Sequence, residues 1–350
     1  MDFSNKNVLL IATAFFGYET SVCDKLKELG ANVDYYNERS ISSAFARALI
    51  KISPKIFAIK THAYYRNIIE LNKKKEYDYV FCNGATMIDV KVIRMLKESF
   101  PKAKYILYCA DSLRGKTNLE KLFYEFDKVV TFDRMDYNYY KNEFKLTNIY
   151  FRPLYFLDCY RAENDIIDEI YDFCFIGTVH SDRYRILKKI STFALENNLQ
   201  FYNYSYLQSR FMFFFYKIFN REFKCAKFNE FQYEKVKSQT IVKIIKQSKV
   251  IIDIQYPKNS GLTMRTIEML GMKKKIITTN KDIANYDFYN PNNIHIIDRN
   301  DVKFDINFLK SKYIEIPENV YEEYTLESWL EDVFDTEKEL SNKYIKDKVL

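Results

Sequence analysis

The chain has 350 residues, 47% of them hydrophobic and 29% charged, and a formal net charge of +7. This balance excludes a disordered chain, no apolar run is long enough to cross a membrane, and the length suits two domains. The basic excess is thinly spread, with Lys73–Lys75 and Lys273–Lys275 the densest runs, which favours small phosphate ligands over nucleic acid. Tyr (30) and Phe (29) far outnumber Gly (7) and Pro (6). Either codon bias from an AT-rich genome or a sticky aromatic surface accounts for that. The six cysteines are scattered without a C-x-x-C spacing. They read as buried thiols suited to a reducing cytoplasm. The N-terminal MDFSNKNVLLIATAFFG has no basic n-region and no small-residue cleavage site, so it reads as a first strand, not a signal peptide.

Short apolar runs alternate with helical patterns, as in a parallel α/β fold. Val8–Thr13 is continuously apolar, as a strand covered on both faces requires. A turn over Phe15–Glu19 contains Gly17, and a helix over Thr20–Leu29 ends at Gly30. Val33–Tyr36 is a strand, 41–75 is mostly helical with a break near Pro54, and Tyr79–Cys82 is a strand. A helix over Asp89–Phe100 stops at Pro101; strands follow at Tyr105–Cys109, Lys128–Phe132 and Ile149–Phe151. Residues 154–170 carry Glu163, Asp165, Asp168 and Glu169 and no strand pattern, which sets a domain boundary near 160. The second series runs strand Phe173–Ile176, helix Asp182–Asn197, strand Gln200–Tyr204, helix Ser238–Gln247, strand Val250–Ile254, helix Thr263–Leu270, then strands Lys275–Thr279 and His295–Ile297. The helix Leu326–Phe334 holds the single Trp329. The expected architecture is therefore α/β with two Rossmann-like domains, 1–160 and 161–325, facing a cleft. Residues 326–350 form a helix and tail that cross back to the first domain.

The stretch Val250–Asn280, VIIDIQYPKNSGLTMRTIEMLGMKKKIITTN, carries the most chemistry. A buried strand feeds a loop and then a helix whose first turn leaves N–H groups for an anion. Thr263 suits the N-cap. Arg265 sits where the helix dipole disfavours a cation, a cost that a bound diphosphate would offset. Glu268, three residues on, could accept from ribose hydroxyls. The competing reading is a surface ion pair between Arg265 and Glu268.

SGLTMRTIEMLGMKKKIITTN, with FIGTVHSDRYRIL and IANYDFYNPNNIHII, resembles the nucleotide-sugar signature of GT-B glycosyltransferases over about residues 170–330. More narrowly it is similar to CgeB-like and bacterial capsule or lipopolysaccharide glycosyltransferases. The resemblance implies transfer of a sugar from a nucleoside-diphosphate sugar to a glycan acceptor, which in some relatives is lipid-linked. Gly261, Leu262 and Thr263, following Ser260, would cradle the diphosphate through backbone N–H groups. Arg265 would add charge and Glu268 would hold the ribose. Gly177 and Thr178 would line the phosphate pocket, with His180 and Arg183 nearby. Retaining relatives carry a further Glu where this chain has Ser260, which departs from a two-glutamate mechanism.

An inverting transfer needs a base. Asp111, at the end of YILYCAD, is the first candidate and a helix cap is its alternative; Glu19 and Asp133 are weaker. His180 is a second catalytic candidate, while His62 and His295 read as packing residues. Phe16, Gly17 and Tyr18 would shape the acceptor site. No D-x-D pair occurs, so no metal or other cofactor is expected, with Arg265 and helix N-termini in a metal's place. A nucleotide-sugar epimerase and a non-catalytic nucleotide-sugar-binding or membrane-associated assembly protein are the other readings. RFMFFFYKIFNREFK (210–224) reads either as a buried helix or as an interfacial segment making peripheral membrane contact. Localisation is expected to be cytoplasmic, with the inner face of the cell membrane as the site if that segment touches lipid.

Overall fold

The computed structural model describes residues 1–15, 17–39, 57–109, 111–113, 119–162, 167–257, 259–338 and 343–346. Phe16 and the first part of the helical stretch expected over 41–75 lie outside them. The chain forms two compact units, Met1–Pro153 with Leu326–Tyr344, and Leu154–Thr325 with Ile345–Leu350.

The first unit begins β1 (Asn7–Ala12), α1 (Tyr18–Glu28), β2 (Asn32–Asn37), α2 (Ala58–Asn72), β3 (Tyr79–Asn83) and α3 (Val90–Ser99). It continues β4 (Lys104–Cys109), α4 (Glu120–Phe123), β5 (Lys128–Thr131), α5 (Arg134–Asn142) and β6 (Ile149–Phe151). The strands form one parallel sheet in the order β2-β1-β3-β4-β5-β6. β1 is buried from Val8 through Ala12, because helices cover both faces of such a sheet. Each fully buried aliphatic side chain there contributes about 1.5–3 kcal/mol. Gly17 caps α1 with φ at 85°, a left-handed conformation that a side chain at Cβ would disfavour.

The second unit runs from the short 3₁₀ turn Asp158–Tyr160 through β7 (Tyr171–Thr178), α6 (Arg183–Glu196), β8 (Phe201–Tyr206), α7 (Arg210–Phe219) and α8 (Ser238–Lys246). Then come β9 (Ser248–Asp253), α9 (Met264–Gly271), β10 (Lys275–Thr278), β11 (Ile294–Ile296), α10 (Ile306–Lys310) and α11 (Glu318–Glu322). Its parallel sheet has the order β11-β10-β9-β7-β8. β7 extends through Gly177 and Thr178, which sequence reading places in the following turn. Of the six cysteines, Cys23, Cys82, Cys109 and Cys174 are buried, whereas Cys159 and Cys225 are exposed.

The last helix, α12 (Leu326–Phe334), belongs to the first unit. Phe334 packs edge-on against Phe3, Tyr79 and Phe81, and Trp329 against Tyr108. Asp332 is buried and pairs with Arg152 at 2.8 Å and with Lys338 at 2.7 Å, while Tyr344 donates its hydroxyl to it. Removing one partner of so buried a pair costs about 3–5 kcal/mol, so this cluster helps to fix α12 and Tyr344 to the first unit.

Candidate functional site

In open parallel sheets, ligands bind outside the carboxyl ends of the strands where the strand order reverses. In the second unit that point lies between β7 and β9, each on its own side of the reversal. β7 ends at Thr178 and β9 at Asp253, so the segments entering this edge are 179–183 and 254–263.

Arg183 joins the two strand ends. Its Nε donates to the carbonyl of Ile254 at 2.6 Å and its Nη1 to that of Thr178 at 2.7 Å. Arg299 makes a second clamp. Its Nη1 donates to both carboxylate oxygens of Asp182, at 2.8 and 3.0 Å, and its Nη2 to the carbonyl of Gln255 at 2.6 Å. His180 lies on the same edge, its Nδ1 3.2 Å from the hydroxyl of Ser181 and its ring edge-on to Tyr256. Burial, and then the charge of Arg183, pushes the His180 imidazole down to about 4. The ring is therefore neutral near pH 7, able to accept a hydrogen bond from a hydroxyl but holding a proton weakly.

The helix α9 is set by hydroxyls and a carboxylate. Thr263 is its N-cap and accepts from the N–H of Thr266 at 3.1 Å. Both Thr263 and Thr266 donate through Oγ1 to Oδ2 of the buried Asp253, each at 2.7 Å. This ties the helix start to the end of β9. The amide of Asn280, just past β10, donates to the carbonyls of Ser260 and Gly261, both at 3.1 Å. Gly261 and Leu262 are buried, whereas Ser260, Thr263 and Arg265 are partly exposed. Thr263 takes one of the N–H groups that the first turn leaves without an intrahelical partner; those of Met264 and Arg265 head the same turn.

Arg265 and Glu268 face each other, Nη1 to Oε2 at 2.8 Å. The expected i,i+3 pair is thus present, but it is not a surface pair, since Glu268 is buried. Its neighbour is Tyr160, whose phenol shares a hydrogen bond with Glu268 and is pushed well up by burial and then by that carboxylate. Gly271 makes this approach possible. A Cβ there would lie 2.6 Å from the Phe156 ring and 2.8 Å from the Tyr160 carbonyl, so only glycine lets this segment cross the helix.

The structure thus gathers Gly177, Thr178, His180, Arg183, Ser260, Gly261, Leu262, Thr263, Arg265 and Glu268 along one unit's β7 and β9 ends and the adjoining helix. Arg183 is already hydrogen-bonded within this edge. Its guanidinium is engaged with two backbone carbonyls, because those strand ends would otherwise leave acceptors unsatisfied. Sequence reading missed Asp253, Asn280 and Arg299. The first two were marked by polar residues closing apolar strands, in VIID and KIITTN; no local signal pointed to Arg299.

In the first unit, Asp111 is exposed in a bend just past β4. Gly17 and Tyr18 open α1, and Glu19 accepts from the N–H of Phe15 at 2.9 Å. Asp133 is buried and caps α5 through the N–H groups of Met135 and Asp136. Its carboxylate is thereby engaged in capping the helix. His62 lies 2.8 Å from Asp89, the N-cap of α3, and His295 lies 3.3 Å from the carbonyl of Lys303. The reversal in this sheet lies between β1 and β3. The buried Glu38, just after β2, spans it, accepting from the hydroxyl of Thr13 at 3.1 Å and from the N–H of Met87. Burial raises its pKa. Among the described residues no cluster of His, Cys, Asp or Glu could hold a metal ion.

No protein-family model matches the sequence, and no curated protein sequence does. Solved structures do match. An alpha,alpha-trehalose-phosphate synthase (UDP-forming) from Burkholderia xenovorans in complex with glucose-6-phosphate aligns at TM-score 0.57 and 11% identity, over 95% of this chain and 100% of that one. The N-terminal domain of Candida albicans trehalose-6-phosphate phosphatase aligns at 0.55 and 9%, over 95% and 97%. Anabaena HepE in complex with UDP-glucose aligns at 0.52 and 9%, over 94% and 96%. At such identities the likeness is one of fold. The chain is built from two Rossmann-like units, the GT-B fold.

Proposed function

We propose that the chain is a glycosyltransferase that holds a nucleoside-diphosphate sugar at the β7–β9 edge of its second unit and passes the sugar to a glycan acceptor. The observation that carries this reading is the meeting of three features at one sheet reversal: a capped helix start, the Arg265–Glu268 pair and an edge clamped by Arg183 and Arg299. Without donor, Arg265 is ion-paired with Glu268. With donor, Arg265 turns to the diphosphate and Glu268 accepts from the ribose hydroxyls, so one ion pair is exchanged for two charge-assisted contacts. The N–H groups of the first helical turn stabilise the nucleotide leaving group as its charge develops, and no metal is needed. Asp111 is the base that takes the acceptor proton, and Phe16, Gly17 and Tyr18 bound the acceptor. His180, neutral, hydrogen-bonds a donor hydroxyl. The role is in the making of bacterial surface polysaccharide, on a glycan or lipid-linked acceptor.

UDP-glucose, which HepE binds, is the first probe, followed by GDP- and CDP-sugars. A ligand specific to the native state raises the melting temperature by mass action. Glu268→Gln and Arg265→Lys should each weaken donor binding about 10- to 100-fold, the worth of a charge-assisted hydrogen bond. Transfer should persist in EDTA. If no nucleotide sugar shifts the melt of the unaltered protein, the reading fails. If donor alone is converted to an isomer, the protein is an epimerase.

A further inference from the structure

Helix α7 carries apolar residues at Phe211, Phe214, Phe215, Ile218 and Phe219. This i, i+3, i+4, i+7, i+8 spacing is the stripe that a helix normally turns to the core. Here it faces outward, each of the five being 41 to 73% exposed. The helix is held to its unit from the other side, by the buried Phe213 and the partly buried Met212 and Tyr216, with Phe213 against Phe231 and Tyr216 against Phe223. The stripe amounts to roughly 600 Å² of apolar surface, at the upper end of what a typical monomer shows in one patch. Phe228, also exposed, borders it, with Arg210 over its ring at 5.9 Å.

The rim of this patch is basic. Arg210 opens the helix, and Arg221, Lys224 and Lys227 follow it, all exposed. The acidic residues of the same stretch are already paired, Glu222 with Arg185 and Glu230 with Lys188. A second copy of the chain docking here by twofold symmetry would set like charges against like. Anionic lipid headgroups would neutralise them, while the aromatic stripe enters the boundary between headgroups and acyl chains. We infer that the α7 face, Phe211 to Phe219 with its basic rim, is a membrane-surface anchor for bilayers rich in anionic phospholipid. It needs no donor, so it stands apart from the proposed reaction.

The test is co-sedimentation of the full chain, without nucleotide, with vesicles of phosphatidylcholine alone or mixed with phosphatidylglycerol. The protein should pellet with the mixed vesicles and be released by salt. Phe211→Ser/Phe214→Ser/Ile218→Ser should weaken partitioning at least about tenfold, since each lost side chain removes apolar surface from the lipid contact. Arg221→Glu/Lys224→Glu should abolish the preference for phosphatidylglycerol. Because these side chains are exposed, both variants should keep the parent's melting temperature and its thermal shift with UDP-glucose. A protein that stays in the supernatant with mixed vesicles, or a triple variant that pellets like the parent, overturns the inference. So does a concentration-dependent dimer that the triple variant abolishes, which would make the patch a self-association face.

Discussion

The two sheets share a parallel architecture but place different side chains where their strand order reverses, a buried carboxyl beside Arg39 in one and a guanidinium beside Asp182 and Asp253 in the other. In the first unit a buried carboxylate, Glu38, spans the reversal, held by Thr13 and the N–H of Met87. In the second a guanidinium, Arg183, spans it, held by the carbonyls of Thr178 and Ile254. A carboxylate repels phosphate and suits neutral hydroxyls; a guanidinium edge attracts a diphosphate. One fold therefore offers two chemically distinct edges, one joined by a carboxyl just after β2 and the other by a guanidinium that opens α6.

The largest effect expected is at the cationic edge. Arg183→Ala strands two carbonyls and opens the joint between β7 and β9. It should lower stability by about 1–3 kcal/mol and abolish the thermal shift with nucleotide sugar. Arg183→Lys, which can reach one carbonyl at a time, should recover part of the stability and little of the binding. Urea unfolding and thermal shift separate the two. A Lys variant that binds donor like the parent would show that the edge needs only a positive charge, not a fork.

Most of the framework was legible from the residues. Continuous apolar runs such as VLLIAT and VIIDI announce strands covered on both faces, and Thr263 announces a helix start, because burial and capping are local demands. The Leu326–Phe334 helix follows its 3.6-residue period. What was hidden lies in partnerships between distant residues. The joint made by Arg183 was hidden because nothing in FIGTVHSDRYRIL shows that the carbonyl of Ile254 lies beside it. Glu38 went unremarked, since a lone acidic residue after a short strand gives no sign that Thr13 and Met87 close around it. The aromatic helix at 210 was ambiguous for the opposite reason. Its periodic stripe fixes which residues share a face, and only the fold decides whether that face is covered.

At the carboxylate edge the expected effect is smaller. Burial raises Glu38's pKa, so the folded state keeps its proton to higher pH than the unfolded chain does. The stability this confers is complete below the unfolded pKa and is lost as pH rises through the folded one. Glu38→Gln keeps the shape and cannot ionise. It should change stability by about 1 kcal/mol and remove that decline, so its melting temperature should gain on the parent's as pH rises above the ordinary glutamate range. Parallel curves for parent and variant would mean that Glu38 is well solvated, and the contrast between the edges would weaken.

His180 gives the smallest effect and the most direct reading of the cationic edge. Its imidazole is pushed from an ordinary 6.5 down to about 4, by burial and then by Arg183. Below pH 6.5 the unfolded chain takes up a proton that the folded chain refuses, so stability falls as pH drops from 6.5 toward 4. His180→Asn should remove that part of the acid slope, a change under about 1 kcal/mol because the ring is only partly buried. The ring proton resonances should report the same event without a mutation, with a midpoint expected near 4 in the free protein. A diphosphate bound beside the ring brings negative charge, which favours the imidazolium, so saturating UDP should move the midpoint upward. If UDP binds and the midpoint stays where it was, the nucleotide lies away from the β7–β9 edge, and the guanidinium there serves only to join two strands.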